Sequence, residues 1–230
     1  IGVSIAMMVV GFWPPAYAAH PDSIEWIVFA GAALFGVGIM LALWVHNVKG
    51  DDPRTLETMF MFVWGAVAAH YGNAWVGAMS VAMLMSLVGF TLIVSPLSYG
   101  FGFRKDDAIV PATFTAFLTL AGYLAQIALY PKAPEAVKAF APGAFWLGSF
   151  VMYTGLLIKA FESTWSREGS DGFAQVLLIA MIGVGAIAGN FFGVMPLSGM
   201  AAAFAFFYFT GKIAAVRTRE MAAFGVKLLV

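Results

Sequence analysis

The chain has 230 residues, of which 62% are hydrophobic and only 10% charged, and its mean hydropathy is +0.89. A soluble domain carries roughly 25% charged residues, so this composition excludes an ordinary water-soluble core and points to an integral membrane protein. The net charge of zero argues against a nucleic-acid partner, and the lack of cysteine excludes disulfides, iron–sulfur clusters and thiol catalysis.

Residues 1–23 form an apolar segment and outer linker, "IGVSIAMMVVGFWPPAYAAHPDS". The apolar run stops at Pro14-Pro15, and Ala16-Tyr17-Ala18 offers the small residues of a signal-peptidase site. The preferred expectation is an N-terminal helix that packs on the bundle, and the alternative is a cleaved signal. Spans of about 20 apolar residues then recur, over approximately 24–46, 56–71, 74–97, 108–130, 142–161, 173–195 and 197–216. The expected fold class is therefore all-α, a polytopic membrane helix bundle with seven predicted transmembrane helices plus the N-terminal apolar segment. Residues 24–216 make the bundle and 217–230 a cytoplasmic tail.

Several boundaries have a local cause. Asp52 can cap a helix that has Pro53 at its first position. Gly72-Asn73 is a turn signal between the second and third spans. Asp106 and Asp107 stand where a helix dipole favours acid at the start of the fourth. Gly185, Gly189 and Gly193 recur at spacing four, a small-residue seam that lets another helix approach closely.

Charge placement orients the spans. Lys49, Arg54, Arg104, Lys105, Lys159, Arg167, Lys212, Arg217, Arg219 and Lys227 fall in alternate connections and the tail, and only Lys132 and Lys138 on the other side. The positive-inside rule then predicts that the first span starts outside and that the C-terminus is cytoplasmic.

The predicted spans hold almost no ionisable group away from their ends: Glu25 and Glu57 lie at helix starts, and Lys159 and Lys212 at cytoplasmic ends where they can snorkel. Proton pumps, ion-coupled transporters and voltage sensors need buried charge, and no carboxylate pair offers acid–base catalysis. His46 and His70 fall at opposite ends of spans, too far apart to share a haem. His20 and His70 share the outer side without the further ligands a metal needs. A microbial rhodopsin is rejected because Lys212 is near a span end and the third span has no acidic counter-ion.

Neutral polarity remains inside, among aromatic rings: Thr91 and Ser95 beside Phe90; Thr113, Thr115, Thr119, Tyr123 and Gln126; Ser149, Tyr153 and Thr154 with Trp146; and Asn190. Such groups can bond a neutral polar solute, or hold helices together. In "GAFWLGSFVMYTGLLIKAF", residues 143–161, Trp146, Phe150 and Tyr153 stand at i, i+4 and i+7, one face of a regular helix.

Several stretches carry a family likeness. "FAGAALFGVGIMLAL" is a small-and-aliphatic opening helix, "DDPRTLETMFMFVWG" an Asp-Pro turn leading into a Phe-Val-Gly helix, and "VGFTLIV" a Gly-Phe-Thr segment. "FGF", "FWLGSFVMY" and "GKIAA" follow in order. Over residues 24–216 the chain resembles the AmiS/UreI family of urea and short-chain amide channels. The resemblance implies a ring-shaped homo-oligomer, commonly a hexamer, with one solute pathway through each protomer. By position it implies channel-lining roles for Phe90, Val94, Trp146, Ser149 and Tyr153, with Trp146 and Tyr153 facing the lumen and Phe150 turned away. The sequence departs from the family where Val37-Gly38 replaces an Asn-Gly, and where Ala180 or Met181 replaces an expected polar residue.

The expected function is a passive channel for a small neutral polar solute such as urea or a short-chain amide. The alternative is a non-catalytic, membrane-embedded structural subunit of a larger complex. Neither needs a cofactor or metal, and neither is an enzyme. The expected partners are the lipid bilayer, the solute and further copies of the chain, in a bacterial inner membrane.

Overall fold

A computed structural model describes residues 2–10, 21–45, 53–95, 98–165 and 172–227. Pro14-Pro15, the Ala16-Tyr17-Ala18 triplet, His20, His46, Lys49, Asp52 and Arg167 lie outside the described residues. In chain order the helices are α1 (Gly2–Val10), α2 (Pro21–Val45), α3 (Pro53–Tyr71) and α4 (Ala74–Leu87). Strands β1 (Phe90–Ser95) and β2 (Ser98–Phe103) follow, then a 3-10 turn over Asp106–Ala108. The chain continues with α5 (Ile109–Leu129), the short α6 (Glu135–Lys138) and α7 (Ala141–Gly143), and a π-turn over Ala144–Gly148. It closes with α8 (Ser149–Trp165), α9 (Phe173–Phe191) and α10 (Met195–Lys227).

Helix dominates, which fits the all-α class. Among the described residues five helical stretches are long and apolar enough to cross a membrane: 23–42, 106–129, 135–162, 173–191 and 195–215. Such a set is compatible with an integral membrane protein. Of the seven expected spans, the second and third are not in this set. α3 has the length but carries Arg54, Glu57 and His70. α4 has only 14 residues, about 21 Å of rise against a hydrocarbon core of about 30 Å.

The single helix expected over 74–97 therefore ends at Leu87. Gly89, at φ +99°, turns the chain, and its backbone carbonyl accepts from the Arg104 amide at 2.8 Å. Between these two residues runs an antiparallel hairpin in which Phe90 faces Phe103 and Ser95 faces Ser98. Hydropathy alone reads "FTLIV" as membrane helix. Its aromatic and β-branched residues equally favour a strand, and Gly89 and Pro96 bracket it as helix breakers. α10 continues helically through Lys227.

The chain divides into two compact units, 1–148 and 149–230. In the first, α3 and α4 form a tight helical hairpin. Gly72 takes φ +66°, and Asn73 caps α4 by accepting from the Trp75 and Val76 amides at 3.0 and 3.1 Å. The core joins Met8, Ile24, Val28, Ala32, Phe60, Trp64, Ala68, Val76 and Ala139. Trp64 stacks on Phe60 with ring centroids 5.1 Å apart and donates its indole N–H to the Ala32 carbonyl at 3.0 Å. The N-terminal helix packs here too. A Cβ on Gly31 would lie 2.9 Å from Met7 Cβ, and the Tyr71 hydroxyl donates to the Met8 carbonyl at 2.9 Å.

In the second unit α8 packs with α9 and α10, and small residues bring the backbones close. A Cβ on Gly189 would lie 2.6 Å from the Ser198 amide nitrogen, and Gly185 lies against the Tyr153 hydroxyl. The glycine seam is thus a packing feature at Gly185 and Gly189. Gly193, at φ +68°, instead ends α9 in a turn.

Candidate functional site

The stretch 135–162 is 61% buried, against 17–28% for the other four apolar stretches. Its centre, Val151–Leu156, is buried residue after residue. A helix buried all round needs few polar groups, yet this one carries Ser149, Tyr153 and Thr154, all buried. It is also preceded by the π-turn, whose wider i→i+5 bonding insert is common at functional sites.

The π-turn changes the face read from the sequence. Trp146 lies within it and is 53% exposed, while Tyr153 is fully buried. Phe150 and Tyr153 both meet Phe204 on α10, at centroid distances of 6.0 and 5.4 Å. Phe150 and Tyr153 thus both contact the same neighbouring helix. Trp146 stands in the π-turn and not in regular helix, so a 3.6-residue periodicity does not fix its face.

The five expected channel-lining residues occupy different settings. Phe90 is buried on β1 with its ring edge-on to Phe103 at 5.5 Å, and Val94 pairs with Tyr99 in the hairpin. The Val94 side chain lies outside the described residues. Ser149 and Tyr153 sit in the second unit on α8, and Trp146 in the first.

Most interior polar groups are spent on backbone. The Tyr153 hydroxyl donates to the Met181 carbonyl at 3.0 Å, Ser80 to Met61 at 2.8 Å, and the Asn73 amide to Glu25 at 2.8 Å. Thr58, Thr113 and Thr119 each donate to the carbonyl four residues earlier, at 2.7, 2.6 and 2.8 Å. Thr154 does not: its Oγ1 is buried without a partner. A buried hydroxyl left unpaired costs about 1–3 kcal/mol.

A second polar group was not anticipated. Glu57 on α3 pairs with Arg104 at the end of β2, and Glu57 Oε1 also accepts from Ser86 Oγ on α4 at 2.8 Å. Arg104 reaches Ser86 Oγ at 3.3 Å. Glu57 and Arg104 side chains are 14% and 30% exposed, and Glu57 Oε2 is buried without a partner. No sequence spacing relates positions 57, 86 and 104. Only the helical hairpin and the strand hairpin that follows it bring them together. This pair also ties together two of the connections that the charge bias groups on one side.

Exposed aromatics mark the opposite end of α3 and α4. Trp26 and Trp75, each 56% exposed, lie with centroids 5.7 Å apart, and Phe29 stands edge-on to Trp26 at 5.7 Å. His70 stands edge-on to Tyr71 at 4.8 Å. Among the described residues no group of three or more His, Cys, Asp or Glu is placed to hold a metal. No protein-family model, curated protein or solved structure matches the chain.

Proposed function

We propose that the protein is an integral membrane protein acting as a passive channel for a small neutral polar solute such as urea or a short-chain amide. The observation that carries this reading is the Thr154 hydroxyl, buried and unpartnered in the most buried apolar stretch, on the helix that Ser149 begins after a π-turn. In a low-dielectric interior such a group gains from a passing hydroxyl, amide or carbonyl. The resemblance to the AmiS/UreI family points to the same solute class. In this reading Phe90, Val94, Trp146, Ser149 and Tyr153 line or support the path. Copies of the chain assemble as a ring in a bacterial inner membrane with the C-terminus cytoplasmic, and there is no catalysis and no cofactor.

The test is stopped-flow swelling of proteoliposomes in urea and acetamide gradients. Wild type should raise permeability above protein-free vesicles, and Thr154→Val, which removes the hydroxyl at nearly constant shape, should lower it. Permeability equal to that of empty vesicles refutes the channel. The second reading, a structural subunit, is favoured by the backbone bonds that occupy Trp64, Tyr71, Asn73, Ser80 and Tyr153. It predicts no flux and co-purification with dissimilar chains.

A further inference from the structure

We propose that Glu57, Arg104 and Ser86 form a binding station for a small, neutral, planar amide. This inference rests on the solute class of the channel reading and adds to it a site that reading does not contain. An ionised carboxylate has about four acceptor positions, and a guanidinium has five donors in a fixed fork. The cluster uses only part of this capacity. Glu57 Oε1 accepts from Arg104 and Ser86, whereas Oε2 is buried with no donor. Arg104 donates to Glu57 and Ser86, and its remaining N–H groups lie on a side chain that is 30% exposed.

The unfilled positions have opposite polarity and belong to one ion pair. Oε2 asks for a donor, and the free edge of the guanidinium asks for an acceptor. A carboxamide or urea supplies both in one plane: an N–H for Oε2 and a carbonyl oxygen for Arg104. An anion would meet the Glu57 charge and a cation the Arg104 charge, so the pair discriminates in favour of neutral solutes. Ser86, with its hydroxyl committed to Oε1, holds the carboxylate in place. Gly89 and the Arg104 amide, bonded at 2.8 Å, hold the root of the strand hairpin and so the base of Arg104. The station lies at the start of α3 and the end of α4, at the end opposite Trp75.

Saturation-transfer NMR on the detergent-solubilised full chain, with acetamide as the probe, tests this directly. Wild type should transfer saturation to the acetamide methyl group, and acetate at the same concentration should receive less. Glu57→Gln should weaken acetamide binding about tenfold, the size of one charge-assisted hydrogen bond. If that variant loses its helical circular-dichroism signal, the charge-neutral double variant Glu57→Gln with Arg104→Gln replaces it, and the same loss is expected. No transfer in wild type overturns the station and assigns Oε2 to water alone. Equal transfer in wild type and variant also overturns it. Flux measured on the same preparations separates the two readings. Binding without flux refutes the channel and leaves the station, and flux with variant-insensitive binding does the reverse.

Discussion

Replacing Asn73 by alanine should lower the stability of the first unit by an amount set by three hydrogen bonds. Asn73 is fully buried. Its Oδ1 accepts from the Trp75 and Val76 amides, and its Nδ2 donates to the Glu25 carbonyl, so one side chain joins α2 to the turn between α3 and α4. Loss of an N-cap costs about 1 kcal/mol, and losing the bond to the Glu25 carbonyl, which stays within the α2 helix ladder, adds about 1 kcal/mol, for a total of about 2 kcal/mol. At about 3 °C per kcal/mol the melting temperature should fall by about 6 °C. Thermal unfolding of the detergent-solubilised chain, followed by far-ultraviolet circular dichroism, measures this. Asn73→Ser keeps a cap acceptor and loses only the bond to Glu25, so it should recover about half of the loss. An alanine variant melting within about 2 °C of wild type would refute the assignment of these bonds as a stabilising joint.

Gly189→Val should destabilise the second unit by about 1–3 kcal/mol, because its side chain must displace the Ser198 backbone. Gly183→Ala, with nothing within 4 Å of the added carbon and a better helix former in place, should raise the same melt slightly. Tyr153→Phe keeps the stack on Phe204 and loses the bond to Met181, for about 1 kcal/mol. A larger drop would mean that the hydroxyl serves a wider network. Trp26 and Trp75 should lie at the headgroup level of a bilayer, where exposed tryptophans at helix ends gather. Bromine placed shallow in the lipid should then quench their fluorescence more than bromine placed deep, and the difference should fall in Trp26→Phe with Trp75→Phe. Stronger deep quenching would place this end inside the hydrocarbon.

Some of this architecture could be read along the chain because its causes are local. The turn at Gly72-Asn73 follows from one residue that tolerates positive φ and one that caps. The helices expected as the first, fourth, fifth, sixth and seventh spans are long and apolar enough to cross a membrane, which length and composition alone make legible. The third did not read correctly, because hydropathy does not distinguish a long apolar helix from a short one followed by an apolar strand. "FTLIV" has the residues for either, and Gly89 decides by ending α4. The aromatic face of 143–161 rests on a related assumption. Periodicity assumes 3.6 residues per turn, and the π-turn over Ala144–Gly148 breaks that count just where Trp146 is placed.

By itself the sequence determined the apolar character of the helices: so much apolar side chain and so little charge are compatible with lipid, and the turn residues act on neighbours a few positions away. Which polar groups are satisfied was decided only by the tertiary structure. Tyr153 and Thr154 are adjacent hydroxyl residues in one buried run, yet one finds the Met181 carbonyl and the other finds nothing. Glu57, Ser86 and Arg104 meet although 47 residues separate the ends of the set. Hydrogen bonds act over about 3 Å, so their partners are chosen by which helices pack together, a choice that no local pattern records.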